Sequence, residues 1–255
     1  SIASPATADN CGVSSVVNDY NGTSDASDTY PVGTTEVLWT VTDIHGNTSS
    51  CVQSVTITDD EDPTITCPVD VVQTADADEC EADVSIASPA TADNCGVSSV
   101  VNNYNGTSDA SDTYPVGTTE VLWTVTDIHG NTSSCVQSVT ITDDEDPTIT
   151  CPVDVVQTAD AGECEADVSI ASPATADNCG VSSVVNNYNG TSDASDTYPV
   201  GTTEVLWTVT DIHGNTSSCV QSVTITDDED PTITCPVDVV QTADAGECEA
   251  DVSIA

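Results

Sequence analysis

"EVLWTVTDIHGNTSSCVQSVTIT", Glu120 to Thr142, is two alternating runs folded about one turn. In the first run Val121, Trp123 and Val125 fall on one side, and Leu122, Thr124 and Thr126 on the other. In the second run Cys135, Gln137, Val139 and Ile141 share a side. Successive side chains of a strand point to opposite faces, so a period of two with one apolar side marks strands half buried against a core. "DIHGN", Asp127 to Asn131, interrupts the alternation with Asp, Gly and Asn, which fold tight turns.

The flanking sequence continues the pattern. Ile65, Cys67, Val69 and Val71 alternate as a first strand interrupted at Pro68, which lacks the N–H a ladder needs. "CEADVSIAS" puts Cys80, Ala82, Val84 and Ile86 on one face of a second strand. "SPATADNCG" reads as turn chemistry, "VSSVVNN" as a weaker third strand and "NYNGTSDASD" as a polar loop. "TYPVGTTE" holds a short strand and a Gly turn. No segment carries a helical period of useful length. Short strands separated by turns predict an all-β fold, an antiparallel β-sandwich.

The whole chain repeats every 84 residues: "SIASPATADNCGVSSVV" begins at Ser1, Ser85 and Ser169. The copies differ at two positions, Asp19 against Asn103 and Asn187, and Asp78 against Gly162 and Gly246. That period is too long for a solenoid repeat and suits a module with its own core. The expected organisation is residues 1–58 as the later part of one module, 59–142 and 143–226 as complete modules, and 227–255 as the first part of another. The chain reads as a slice of a longer repetitive protein. Across each break, covalent continuation is favoured over completion of one copy by the tail of another through strand addition.

There are 44 acidic residues and no Lys or Arg, giving a formal charge of −44. Such a chain does not bind nucleic acid or an anionic membrane surface by electrostatics. It also gives trypsin no site. The patterned apolar residues and regular cysteines argue against the disorder that high acidity can signal. Twelve cysteines, four per repeat, without a C-x-x-C pair and with one isolated His per repeat, read as disulfides rather than zinc ligands, hence an oxidising, extracellular setting. With no Phe or Met in the core, such bridges matter. Each contributes about 2–4 kcal/mol by restricting the unfolded chain.

"DPTITCPVDV", "ATADNCG", "YPVGTTEV" and "TVTDIHGNTSSC" together resemble the hyalin-repeat (HYR) module, in that family's order and over essentially the whole repeat. The resemblance implies tandem immunoglobulin-like β-sandwiches in extracellular proteins, a role in adhesion or surface architecture, and no catalysis. It implies bridges Cys67–Cys135 and Cys80–Cys95, and correspondingly Cys151–Cys219 and Cys164–Cys179. The residues alone leave all three pairings of four cysteines open. Gln137 departs from the family, which places a large apolar residue there, and that predicts looser packing of the last strand.

Asp59, Asp60, Glu61 and Asp62 lie between the last strand of one module and the first strand of the next; Asp143, Asp144, Glu145 and Asp146 repeat them. In an immunoglobulin-like module the loops carrying Asp93, Asn94, Asp127 and Asn131 sit at the same end as these acids. Asp177, Asn178, Asp211 and Asn215 are their counterparts. Asp76 and Glu79, in the first hairpin loop, are expected to face the following junction. Ca2+ takes six to eight oxygen ligands from carboxylates, amides and carbonyls, and millimolar extracellular Ca2+ fills even a modest site. The competing reading is a solvated linker with Asp and Asn serving only as turn caps.

Each His of "DIHGN" reads as exposed, and no nucleophile, base and orienting acid form a recognisable set. "NGT" at Asn21, Asn105 and Asn189 offers glycan acceptors; "NTS" at Asn47, Asn131 and Asn215 is the weaker sequon, because a sugar on Asn131 competes with a metal. Tyr20, Tyr104 and Tyr188 stack on a sugar or pack on the sheet. The expected function is a structural subunit of an extracellular or cell-surface fibre, its partners other copies or the continuation of the same chain, with covalent glycans. The alternative is an adhesin stalk that binds glycan or protein.

Overall fold

The computed structural model describes residues 1–253, in two compact units, Ser1–Asp143 and Asp144–Ala255. The first unit opens with β1 (Val13–Asn18), β2 (Gly33–Asp43) and β3 (Thr48–Ile57), one sheet in the order β1-β2-β3. It continues with β4 (Thr64–Thr66), β5 (Val71–Thr74), β6 (Glu81–Val84), β7 (Ala90–Ala92), β8 (Val97–Asn102), β9 (Asp112–Pro115), β10 (Gly117–Asp127) and β11 (Thr132–Thr142). These form a four-stranded sheet β5-β11-β10-β8 and the pairs β4-β7 and β6-β9. The second unit repeats the set, from β12 (Thr148–Thr150), β13 (Val155–Thr158), β14 (Glu165–Val168) and β15 (Ala174–Ala176) through β16 (Val181–Asn186), β17 (Asp196–Pro199), β18 (Gly201–Asp211) and β19 (Thr216–Thr226).

The hairpin β10–β11 is the backbone of the module. Trp123 faces Cys135 and Val121 faces Gln137 across it, so the apolar sides of both runs lie together. Val121, Trp123, Val125, Val139 and Ile141 are fully buried, while Leu122 stays exposed. Ala82, Val84 and Ile86 of the opposing β6 segment and Tyr114 of β9 close the core. β5 runs parallel to the end of β11, Val71 against Val139.

The first strand of the sequence reading is in fact two. β4 pairs with β7 and β5 with β11, because the chain changes sheets around Cys67 and Pro68. β7 itself, Ala90–Ala92, lies within the stretch that reads as turn residues.

The disulfides follow the register. Cys67 and Cys135 are bonded across the module, as are Cys151 and Cys219. The expected Cys80–Cys95 bridge is not formed: Cys80 is disulfide-bonded, but Cys95 is a free thiol. Nor is Cys164–Cys179, since Cys164 is free and exposed. The reason is distance. Cys80 accepts the Val116 N–H, just before β10 begins, whereas Gly96 accepts the Ile128 N–H, just after it ends. Eleven strand residues separate those levels, about 36 Å at 3.3 Å per residue, and a bridge spans under about 7 Å between Cα atoms.

Gln137 is not a packing fault. It is buried, accepts the Trp123 indole N–H at 3.1 Å and donates to the Val69 carbonyl at 2.7 Å, tying β10, β11 and the segment before β5 together. Tyr104 stacks on Tyr114, centroids 4.2 Å apart. The Tyr114 hydroxyl donates back to the Ala110 carbonyl at 2.7 Å, the corner bond known in immunoglobulin-type sandwiches. Burial, then the neighbouring Tyr104, Asp112 and Asp109, push the Tyr114 hydroxyl up to about 12.

Both variable positions have local explanations. Asp19 and Asn103 each accept the backbone N–H of the facing Leu, Leu38 or Leu122, at 2.8 Å, which either oxygen does. Asp78 holds φ at 63° where Gly162 has 81° and Gly246 92°. This left-handed turn is Gly's natural conformation, and Asp is among the few other residues to tolerate it.

Candidate cation site at the head of the module

The turn after β10 is built around one carboxylate. Asp127 Oδ1 accepts the N–H groups of His129, Gly130 and Asn131, and Asp127 Oδ2 accepts the Asn131 amide at 2.7 Å. Gly130, at φ 98°, lets the backbone wrap round it. Asp127 is only 2% exposed. The loop after β7 is built the same way: Asp93 Oδ2 accepts the N–H groups of Cys95 and Gly96 at 2.8 and 2.7 Å. The Ile128 N–H donates to the Gly96 carbonyl and so joins the two loops.

Onto this end comes Asp59, two residues beyond β3. The Asn131 amide donates to its carbonyl, the Asn94 amide to its Oδ1, and His129 Nδ1 lies 3.0 Å from its Oδ2. Its side chain is 3% exposed. One carboxylate oxygen each from Asp59, Asp93 and Asp127 lies within 4.8 Å of the others. Asp93 Oδ1 is buried and without a hydrogen-bond partner. Three carboxylates this close repel, and an unpartnered buried carboxylate oxygen is costly. Cys95 Sγ and His129 also group with Asp59 within the same span. The sequence separated these two residues by 34 positions, and only the joining of the two loops reveals their proximity. Thus His129, although exposed, is not idle.

The remaining expected ligands divide. Asn94 and Asn131 rim the cluster. Asp60, Glu61 and Asp62 are exposed and stand outside it. Asp76 Oδ2 caps its own hairpin by accepting the Asp83 N–H at 2.9 Å. In the second unit Asp177 and Asp211 hold the same turns, and Asp177 Oδ1 is again buried without a partner. Asn105 lies exposed in its loop, its amide donating to the Asp109 carbonyl, and Asn21 and Asn189 repeat this. Asn131 by contrast spends its amide on Asp59 and Asp127. Tyr104 stacks on Tyr114 with its other side exposed.

Burial raises the Asp59 and Asp127 pKa values, but hydrogen bonds outweigh it. The Cys95 thiol, the Glu61 N–H, His129 and Asn94 act on Asp59; the Asn131 side chain and the turn N–H groups act on Asp127. Both end below the usual 3.8. A depressed folded value means that the charge, and the stability tied to it, persists as pH falls to the unfolded value and is lost below it. Carboxyl carbon shifts of Asp59 and Asp127, followed by NMR, should therefore inflect below pH 3.8. An inflection above that value would show the hydrogen bonds to be weak.

The family model of the HYR domain matches residues 58–141 and 142–225. The chain is 33% identical over 259 residues to hyalin of Strongylocentrotus purpuratus, covering 98% of this chain and 21% of that one. It is 29% identical over 250 residues to hyalin of Lytechinus variegatus, covering 95% and 45%. The chain thus spans less than half the length of either hyalin. Among solved structures, an I-band fragment of titin aligns at 11% identity over 75% of this chain and 74% of that one, with a TM-score of 0.36.

Proposed function

This chain belongs to the HYR domain family, and on that premise we propose that it is a structural segment of an extracellular or cell-surface fibre whose module junctions are stiffened by Ca2+. One observation carries the reading: Asp59, from the linker, converges with Asp93 and Asp127, from the head of the next module, and a buried Asp93 oxygen is left unpartnered. A cation held by those three carboxylates, with the Asn94 and Asn131 amides beside them, supplies the missing partner and removes the repulsion. Because Asp59 follows β3 so closely, it also fixes the angle at which one module meets the next. The oxygen-only donor set suits a hard ion. The disulfides fit an oxidising compartment, and the exposed Asn21, Asn105 and Asn189 are the glycan acceptors of this reading.

The test is thermal unfolding of the full chain with and without Ca2+. At ten times Kd a ligand adds about 1.4 kcal/mol, so millimolar Ca2+ should raise the transition by several degrees for a site with a Kd of about 0.1 mM. Asp93→Asn keeps an oxygen for the Cys95 and Gly96 N–H groups but puts an amide where the unpartnered oxygen stood. It should melt slightly higher than the parent without Ca2+ and lose the response to Ca2+. A parent indifferent to Ca2+, or a variant that responds like it, would overturn the reading. A response to Zn2+ alone, kept by Asp93→Asn and lost in Cys95→Ser, would move the site to Asp59, Cys95 and His129.

A further inference from the structure

We propose that the outer face of the sheet β5-β11-β10-β8 is a self-association surface, on which the same face of a second copy of the chain packs. The proposal holds whether or not the junctions bind Ca2+.

Charge placement singles this face out. Module 59–142 carries 15 acidic residues. Most gather in the linker and the head loops, in the hairpin loop after β5, and on the opposing pair β6-β9, where Glu81, Asp83 and Asp112 are exposed. By alternation β10 and β11 turn eleven side chains outward, and all but Glu120 are Thr, Ser, Leu or Val. Leu122 lies opposite Val136, and Val101 of β8 lies opposite Thr124, the next outward position of β10. Leu122, Val136 and Val101 are 39%, 52% and 41% exposed. The Thr118 and Thr140 hydroxyls bond to each other at 3.1 Å, which lowers the cost of covering them. Leu206, Val220 and Val185 repeat the trio in module 143–226 with the same exposures. Single exposed apolar residues are ordinary. An adjoining trio that recurs with the repeat, set among hydroxyls and kept clear of acids, is a patch.

The chemistry of the face selects its occupant. A cationic partner is drawn to the acidic surfaces instead. A sugar ring wants an aromatic face to stack on, and no outward side chain of β10 or β11 is aromatic. A second copy, itself at −44, is repelled by those acidic surfaces. The uncharged face is where two such chains reach contact distance. Like meets like in an isologous contact about a twofold axis. An axis crossing the strands at the level of Leu122 and Val136 sets Glu120 of one copy opposite Thr124 of the second, whose hydroxyl donates to the carboxylate. The strands β10 and β11 have eleven residues each, so the face is about 36 Å long and, three strands wide, about 14 Å across. Two such faces cover about 1,000 Å² in all, the lower limit of a specific interface. One pair of modules therefore binds weakly, and a chain that repeats the face gains by avidity.

The experiment is sedimentation velocity of the full chain in EDTA, which keeps Ca2+ out of the result. From about 1 μM to about 0.5 mM a reversible dimer or larger species should appear. Association should strengthen from about 0.01 to about 0.15 M salt, as the Debye length falls from about 30 to about 8 Å and the repulsion is screened. Val136→Glu, made together with Val52→Glu and Val220→Glu, puts a carboxylate at the centre of each face. All three positions are exposed, so the melting temperature should stay near that of the parent, while Kd rises at least about tenfold. The corresponding Val→Lys variant, mixed with the Glu variant, should restore association, which a folding defect would not allow. Ser134→Glu, with Ser50→Glu and Ser218→Glu, is a second disruption at positions that already meet water. A chain that stays monomeric over the whole range overturns the proposal. So do Glu variants that associate like the parent, Glu and Lys variants that ignore each other, and association that weakens as salt rises.

Discussion

Replacing both Cys67 and Cys135 with Ala should destabilise module 59–142 by about 4 kcal/mol, the effect expected of opening a loop of this length. The bridge closes 68 residues, most of the module. Its sulfurs also pack against the cluster that holds Trp123, Val139 and Ile141, so some packing is lost as well. For a domain of this size the melting temperature should fall by roughly 15–30 °C. Cys151 and Cys219 make the same bridge in the second unit, and replacing them should produce a second loss of similar size, measurable by calorimetry as a separate early transition. A drop below about 1 kcal/mol would mean that the core suffices without the bridge, which would be unusual for a domain this small with neither Phe nor Met.

The hairpin Glu120–Thr142 was readable because alternation over eleven residues on each side admits one register, and a slip by one would expose Trp123. β7 was not readable, because three residues of "ATA" carry no alternation and become a strand only by pairing with β4. Cys67–Cys135 was rightly paired, but Cys80–Cys95 failed for a different reason. Sequence order says that Cys80 and Cys95 are near each other along the chain, but not that the intervening strand carries them to opposite ends of the module. The acidic cluster was half legible. Topology brings Asp59, Asp93 and Asp127 to one end. Within "DDED", however, the docking of the first acid leaves the next three directed to solvent. Charge density marked the place, and backbone direction decided which carboxylates reach it.

Gln137 offers the clearest separation of hydrophobicity from hydrogen bonding. Replacing it with Leu restores an apolar residue of similar size, and on burial alone that is a gain. It also leaves the buried Trp123 indole N–H without a partner and breaks the bond to the carbonyl of the exposed Val69. The orphaned indole costs about 1–3 kcal/mol and the lost second bond about 1 kcal/mol, so Gln137→Leu should destabilise by about 2–4 kcal/mol despite the added apolar surface. Trp123→Phe in the same background removes the stranded N–H. The double variant should therefore be less destabilised than the sum of the two single variants, with a coupling of about 1 kcal/mol or more by urea denaturation. The bond to the Val69 carbonyl is lost in both, so the rescue should be partial. Strict additivity would mean that Trp123 and Gln137 do not share a bond, and the position would then be ordinary core in which Leu serves as well as Gln.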